Sequence, residues 1–260
     1  WSYGIGETWT LLIPNTKGGA SVPLSHNERA MKKARPEYQQ LYQQIGQYWG
    51  DQPGTSGPVY VGAFVLTLFI LGLFIVKGPM KWALLVGTIF SIMLSWGKNF
   101  MPLTDFFIDY VPMYNKFRTV SSILVVAEFT IPLLAMLALK EIIENPKGVF
   151  ANKKGIYTSL GITAGASLLF AIVPGLFFSS FVSASEMQAL QSLPSEHIQP
   201  VLSNLQEMRT SMLTADAWRS FFIIIVGSAI VWLFITKKLK AQLAVAAITV
   251  LCLADMWAVN

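Results

Sequence analysis

Six long apolar stretches alternate with polar connections along the chain: Pro58–Val76, Trp82–Trp96, Val120–Leu139, Ile156–Phe178, Ala217–Thr236 and Ala241–Val259. Most approach the ~20 residues that a helix needs to cross a ~30 Å hydrocarbon core at ~1.5 Å per residue. The connections after the first, third and fifth stretches are Lys77–Lys81, Lys140–Lys154 and Lys237–Lys240, all rich in Lys and free of Arg. Loops that keep their cations tend to stay in the cytoplasm, so these three are expected inside, and residues 1–57, 97–119 and 179–216 outside. The pattern predicts an all-α polytopic transmembrane bundle of about six spans over residues 58–260. Both termini are expected outside, since an even number of crossings returns the chain to its starting side.

The outward segments carry weaker, amphipathic signals. In residues 1–57, Glu7–Ile13 predicts a short helix ended by Pro14, followed by turn chemistry at Pro14-Asn15 and Gly18-Gly19. From Pro36, which suits a first helical turn, Tyr38, Leu41, Tyr42, Ile45 and Trp49 recur at helical spacing. Such a stripe packs on the protein or lies among lipid headgroups; a sugar-stacking platform is the less common alternative. Asp51-Gln52-Pro53-Gly54 then turns the chain into the first span. Residues 97–119 are too polar and proline-broken to cross, yet strongly aromatic, which predicts a re-entrant or interfacial hairpin. In residues 179–216, Ile198, Val201, Leu202, Leu205, Met208 and Met212 predict an amphipathic helix on the outer face.

Composition narrows the classes. A mean hydropathy of +0.52 with 13% charged residues is too apolar for an ordinary soluble domain. The net charge of +5 sits at the ends of the apolar stretches rather than along one face. It therefore reads as topology signal and contact with membrane lipids, and nucleic acid is not an expected partner. The single cysteine, Cys252, excludes an intramolecular disulfide, and His26 and His197 are far apart, so no metal site is predicted. Trp1 is no initiator methionine and Asn260 stops just after a span; the chain reads as an excised piece of a longer protein.

Three blocks resemble a known family: WSYGIGETWTLLIPNTKGG (1–19), YWGDQPGTSGPVYVGA (48–63) and LSWGKNFMPLTDFFIDYVPMYNKFRTVSSILV (94–125), with LADMWAVN (253–260) in keeping. They look like the YfhO-type bacterial integral membrane proteins, over essentially the whole chain. That family is similar to the GT-C glycosyltransferases, multi-span enzymes that use a polyprenyl-phosphate-linked sugar on the outer side of the membrane. The resemblance implies a GT-C-like bundle in the bacterial cytoplasmic membrane that transfers a sugar to a cell-envelope acceptor. It puts the catalytic acid in an outer loop preceding Trp1, so no catalytic residue is assigned here. No cofactor is evident; a divalent metal is an expectation for the full protein only. A transporter or lipid flippase, or a non-catalytic envelope assembly protein, are the alternatives.

Given a lipid-phosphate donor, Lys98, Lys116 and Arg118 are the candidate phosphate contacts. Arg118 offers a two-point fork and each lysine a point charge. They could instead bind headgroups or pair with Asp105 and Asp109, which are four residues apart and share a face on a helix. Asp105, Asp109, Glu7 and Trp9 are candidate sugar or acceptor contacts: acids take hydroxyls and the indole faces C–H surface. Glu7 equally suits a helix first turn. Glu128 and Asp255 lie within apolar stretches, where an ionised carboxylate is costly; both are expected to face the bundle interior, protonated or partnered. Glu128 is four residues before Pro132, whose missing amide leaves the Glu128 carbonyl without its usual donor. A structural polar knot or a proton relay would each account for it.

Overall fold

A computed structural model describes residues 1–116 and 118–259. Phe117, between Lys116 and Arg118 in the expected hairpin, and Asn260 lie outside the described residues. The fold is helical. Among the described residues the only strand-like pairing is an isolated bridge between Pro23 and Gly46. The main helices are α1 (Ala63–Ile75), α2 (Met80–Ser95), α3 (Met101–Tyr110), α4 (Val125–Glu144), α5 (Lys153–Ile172), α6 (Ser195–Ile235) and α7 (Ala241–Trp257).

By length and apolarity, α4 with the turn before it, α5 and α6 each suffice to cross a membrane. The pair α2 and α3, bent by 108° at Trp96–Gly97, makes a fourth candidate, whereas α1 and α7 are shorter apolar helices. The expected Pro58–Val76 helix is thus only partly helical. Its start is fixed at Ala63 by tertiary contacts: the Ala63 amide donates to the Tyr60 hydroxyl at 2.9 Å and to the Asp255 carboxylate at 3.1 Å. Gly62, at φ 95°, makes the turn that delivers the chain to that cap.

The short α1 sits at the centre, packed against α4, α5 and α6. Gly72 allows α1 and α4 to approach closely, since a Cβ there would meet Leu134 at 3.1 Å and Ala138 at 3.3 Å. Ala127, Ile131, Leu134, Ala138 and Ile142 form the buried stripe of α4, continued by Leu124 in the turn before it, at the i, i+3/i+4 spacing of one helix face. Paired threonines bind neighbours inside this apolar frame: Thr67 to Thr163 (2.9 Å) joins α1 to α5, and Thr88 to Thr130 (2.7 Å) joins α2 to α4. Each hydroxyl also contacts a carbonyl of its own helix, which satisfies polar groups that hydrocarbon cannot.

The three lysine-rich connections gather at one end of the bundle. Lys81 Nζ donates to the Leu73 carbonyl (2.9 Å), one of the last free acceptors of α1. Asn152 Nδ2 donates to the Phe74 carbonyl (3.3 Å). The middle connection is ordered by two asparagine caps: Asn145 accepts from Gly148 N, and Asn152 from Gly155 N at the start of α5.

The largest departure from expectation is α6. The amphipathic segment 179–216 was expected to lie on the outer face, apart from a span beginning at Ala217. Instead Ser195–Ile235 is one helix of 41 residues, ~60 Å long at ~1.5 Å per residue. Its apolar stripe finds protein rather than headgroups: Val201, Leu205 and Met208 are buried against Leu24, Ala30 and Tyr42 of the N-terminal segment. Asn204 locks the joint, accepting from Tyr42 Oη and Arg35 N and donating to the Lys33 carbonyl. Residues 1–57 therefore wrap a helix that projects beyond the bundle, opposite the lysine-rich end.

Candidate functional site

Three separated sequence blocks converge at the end of the bundle opposite the lysine-rich connections, the end expected to face outward (the outer end). The Tyr3 amide donates to the Ser95 carbonyl at 2.8 Å. Asn99 Nδ2 donates to the Tyr3 carbonyl at 2.9 Å. Lys98 N donates to Ser2 Oγ (3.0 Å), the Trp1 nitrogen to the Arg118 carbonyl (2.7 Å), and Ser121 Oγ to Gln52 Oε1 (3.0 Å). Residues 1–19, 48–63 and 94–125 thus build one surface.

Beneath it is a small cleft of about 10 Å³, lined by Tyr3, Glu7, Thr10, Lys17, Tyr48 and Gln52. Glu7 lies in the first turn of the short helix Ile5–Leu11 and is 2% exposed. Its Oε1 accepts from Gly4 N (3.2 Å) and Asp51 N (2.6 Å), and its Oε2 from Tyr48 Oη (2.9 Å). Burial raises the Glu7 carboxyl above its ordinary range despite these donors. Burial also pushes the Tyr3 and Tyr48 phenols up and the Lys17 ammonium down. Lys17 Nζ rests 4.4 Å from the centre of the Phe178 ring. The cleft holds an acid, an amine and two phenols with suppressed ionisation, an environment tuned by desolvation.

The predicted pairing of Glu7 with Trp9 does not occur at one surface. Trp9 packs edge-on against Phe170 (5.3 Å) and Phe177 (5.7 Å), so its ring belongs to the core. Glu7 is a cap and a hub, with its oxygens engaged by protein donors.

The segment expected as a re-entrant or interfacial hairpin is largely helical, with α3 bent by 108° from α2. Asp105 and Asp109 share an exposed face of α3, and Lys98, Lys116 and Arg118 are exposed on the flanking turns. Among the described residues no ion pair joins these acids to these cations. Phe107 anchors the hairpin to α2 through Phe90 (5.6 Å) and to the returning turn through Tyr114 (5.2 Å). Phe106, Ile108, Tyr110 and Met113 stay exposed beside the charges.

The two carboxylates within apolar stretches part ways. Asp255 is buried as expected. It receives Arg219 NH2 at 2.6 Å and the Tyr60 hydroxyl at 2.9 Å and 2.7 Å on its two oxygens. Arg219 also approaches Asp216 (3.8 Å), itself held by Asn15. Glu128, by contrast, is exposed in the first turn of α4. It falls on the flank of the helix, between the buried stripe of Ala127, Ile131 and Leu134 and the exposed Val125 and Phe129. The expected inward polar knot is therefore not formed within this chain.

Sequence reasoning missed Arg219 and Tyr60, and also Arg209. Arg209 is fully buried in the outer lobe, its fork on Glu186 (2.9 and 2.5 Å), with bonds to the carbonyls of Phe181 and Gly46. One signal was present: Arg219 and Asp255 lie about equally far from the turn joining α6 to α7, so an antiparallel pair brings them level. Among the described residues, no group of three or more His, Cys, Asp or Glu side chains could hold a metal ion. No family model, curated protein or solved structure matches the chain.

Proposed function

We propose that the outer end of this helical bundle holds an anionic, lipid-linked substrate, as part of a YfhO-type, GT-C-like membrane protein of about six spans. In this reading a polyprenyl-phosphate-linked sugar is passed to an acceptor of the bacterial cell envelope. The observation that carries it is the bent hairpin. It sets exposed cations at Lys98, Lys116 and Arg118 beside exposed apolar side chains at Phe106, Tyr110 and Met113, over the buried cleft of Glu7. A lipid phosphate needs that combination, with charge for the head and apolar surface for the chain. Arg118 supplies the fork for the phosphate, and Lys98 and Lys116 add field; Asp105 and Asp109 are free to take sugar hydroxyls.

Glu7, engaged by three protein donors, favours holding a substrate over transferring a proton, and supports a non-catalytic envelope assembly role as the second reading. The transporter reading drew on an inward Glu128, and loses that support. Binding of a polyprenyl-phosphate sugar to the purified protein in nanodiscs tests the proposal. Arg118→Ala is expected to weaken binding about ten-fold or more, and Lys116→Ala less, because a point charge contributes less than a fork. Wild-type affinity in Arg118→Ala would overturn the phosphate role. Sugar transfer at wild-type binding separates the enzyme from the assembly protein.

A further inference from the structure

At the opposite end, a cavity of about 570 Å³ opens between α5 and α6, with α1 as its floor. It lies within the ~300–1,000 Å³ of ligand-sized sites. Its wall is apolar, built largely by Phe64, Leu68, Leu71, Leu160 and Ile225, and no acidic side chain lines it. Thr67, Ser159 and Ser228 add uncharged hydroxyls to the wall, and its cationic side chain lies at the lysine-rich end. Lys153, the first residue of α5, lies in the lining with its Nζ 3.6 Å from the centre of the Phe150 ring. Lys238 Nζ lies 5.3 Å from the ring of Trp232, which also lines the cavity. Two ammonium groups thus stand on two rim aromatics, beside the amide-rich N-terminus of a helix, which favours anions.

We infer that this groove seats one anionic glycerophospholipid, an alkyl chain between α5 and α6 and its phosphate held by Lys153 and Lys238. The charge pattern selects this occupant. A neutral apolar helix would fill the wall but leave no use for paired cations at the rim, whereas a phospholipid matches both. Basic pockets between helices at the lysine-rich end of a membrane bundle are recurrent headgroup sites. The inference concerns the end opposite the Arg118 hairpin and stands independently of the sugar reading.

Native mass spectrometry of the full chain in delipidated micelles, titrated with phosphatidylglycerol and with phosphatidylcholine of the same chains, reads the site directly. Phosphatidylglycerol is expected to be retained about ten-fold more tightly. Lys153→Gln with Lys238→Gln should abolish that preference without lowering phosphatidylcholine retention. Ala229→Trp, which fills the cavity, should reduce both. Equal retention of the two lipids by the wild type, or an unchanged preference in the double variant, would overturn the assignment. A benzophenone amino acid in place of exposed Tyr157 gives an independent reading in native membranes. A lipid adduct supports the site, and a peptide adduct means that another helix occupies the groove.

Discussion

The buried charges at one end of the bundle and the lysines gathered at the other meet their surroundings in opposite ways. At the outer end, beside the exposed charges of the hairpin, three sets of titratable groups are folded inward and held by the chain itself: Glu186 with Arg209, Asp255 with Arg219, and Glu7 among three donors. At the inner end Lys77, Lys140, Lys147, Lys153, Lys237 and Lys238 are turned outward, onto aromatic rims or along the surface. Buried charge costs several kcal/mol unless partnered, so an inward charge is committed to one geometry. An exposed lysine can follow lipid, water or a ligand. Buried charge at the outer end therefore defines the fold, and the exposed lysines of the opposite end, like the exposed charges of the hairpin, address the surroundings.

The sharpest way to break the contrast is to remove one partner at the outer end. Arg209→Ala leaves the Glu186 carboxylate without its cation, with only Ser183 still donating to it, and leaves two carbonyls without donors; it should destabilise by about 3–5 kcal/mol in detergent unfolding. Arg209→Met with Glu186→Leu should recover much of that loss, because no charge is left stranded. Asp255→Asn keeps an acceptor for Tyr60 and Ala63 but loses the charged contact with Arg219. A loss of about 1.5–3 kcal/mol is expected, with fraying of the α1 start visible as faster amide exchange at Ala63.

Glu7 sharpens the comparison through pH. Its folded carboxyl is raised by burial above the ordinary value of 4.5. Between that value and the raised one, the folded state therefore binds more protons than the unfolded state. Stability should fall as pH rises through this window. Glu7→Gln should flatten that slope, as read from unfolding midpoints across the acidic range; an unchanged slope would show that other groups set it. The smallest effect belongs to Glu128. Since its side chain is exposed on the flank of α4, Glu128→Leu should change the stability of this chain by no more than about 0.5 kcal/mol. A large loss would mean that Glu128 is held by a partner, and would place a second charge-defining contact on that face.

Some of this was legible in the residues. The helical class, the positions of the apolar segments and the gathering of three lysine-rich connections at one end follow from chain pattern. Alternation along a sequence of antiparallel helices maps directly onto opposite ends of a bundle. The stripe from Tyr38 to Trp49 also read as a packing face, and Tyr42 and Trp49 are buried. Which face of α4 turns inward was not legible, because that helix is apolar on all sides and its period carries no preference. Glu128 and Asp255 looked alike for that reason.

Only tertiary structure separated them. Asp255 meets Arg219 across the α6–α7 pair and caps a helix that begins nearly two hundred residues earlier in the chain. Glu128 falls one residue, and so ~100° of helical rotation, past the buried position of Ala127. The same limit applied to α6. Its outer half had the signature of an interfacial helix, and only the arrival of Leu24, Ala30 and Tyr42 on that stripe made it a protein core. Local sequence sets where a helix forms and how apolar it is. What covers each face is decided by long-range partners whose energies appear only when the chain has closed on itself.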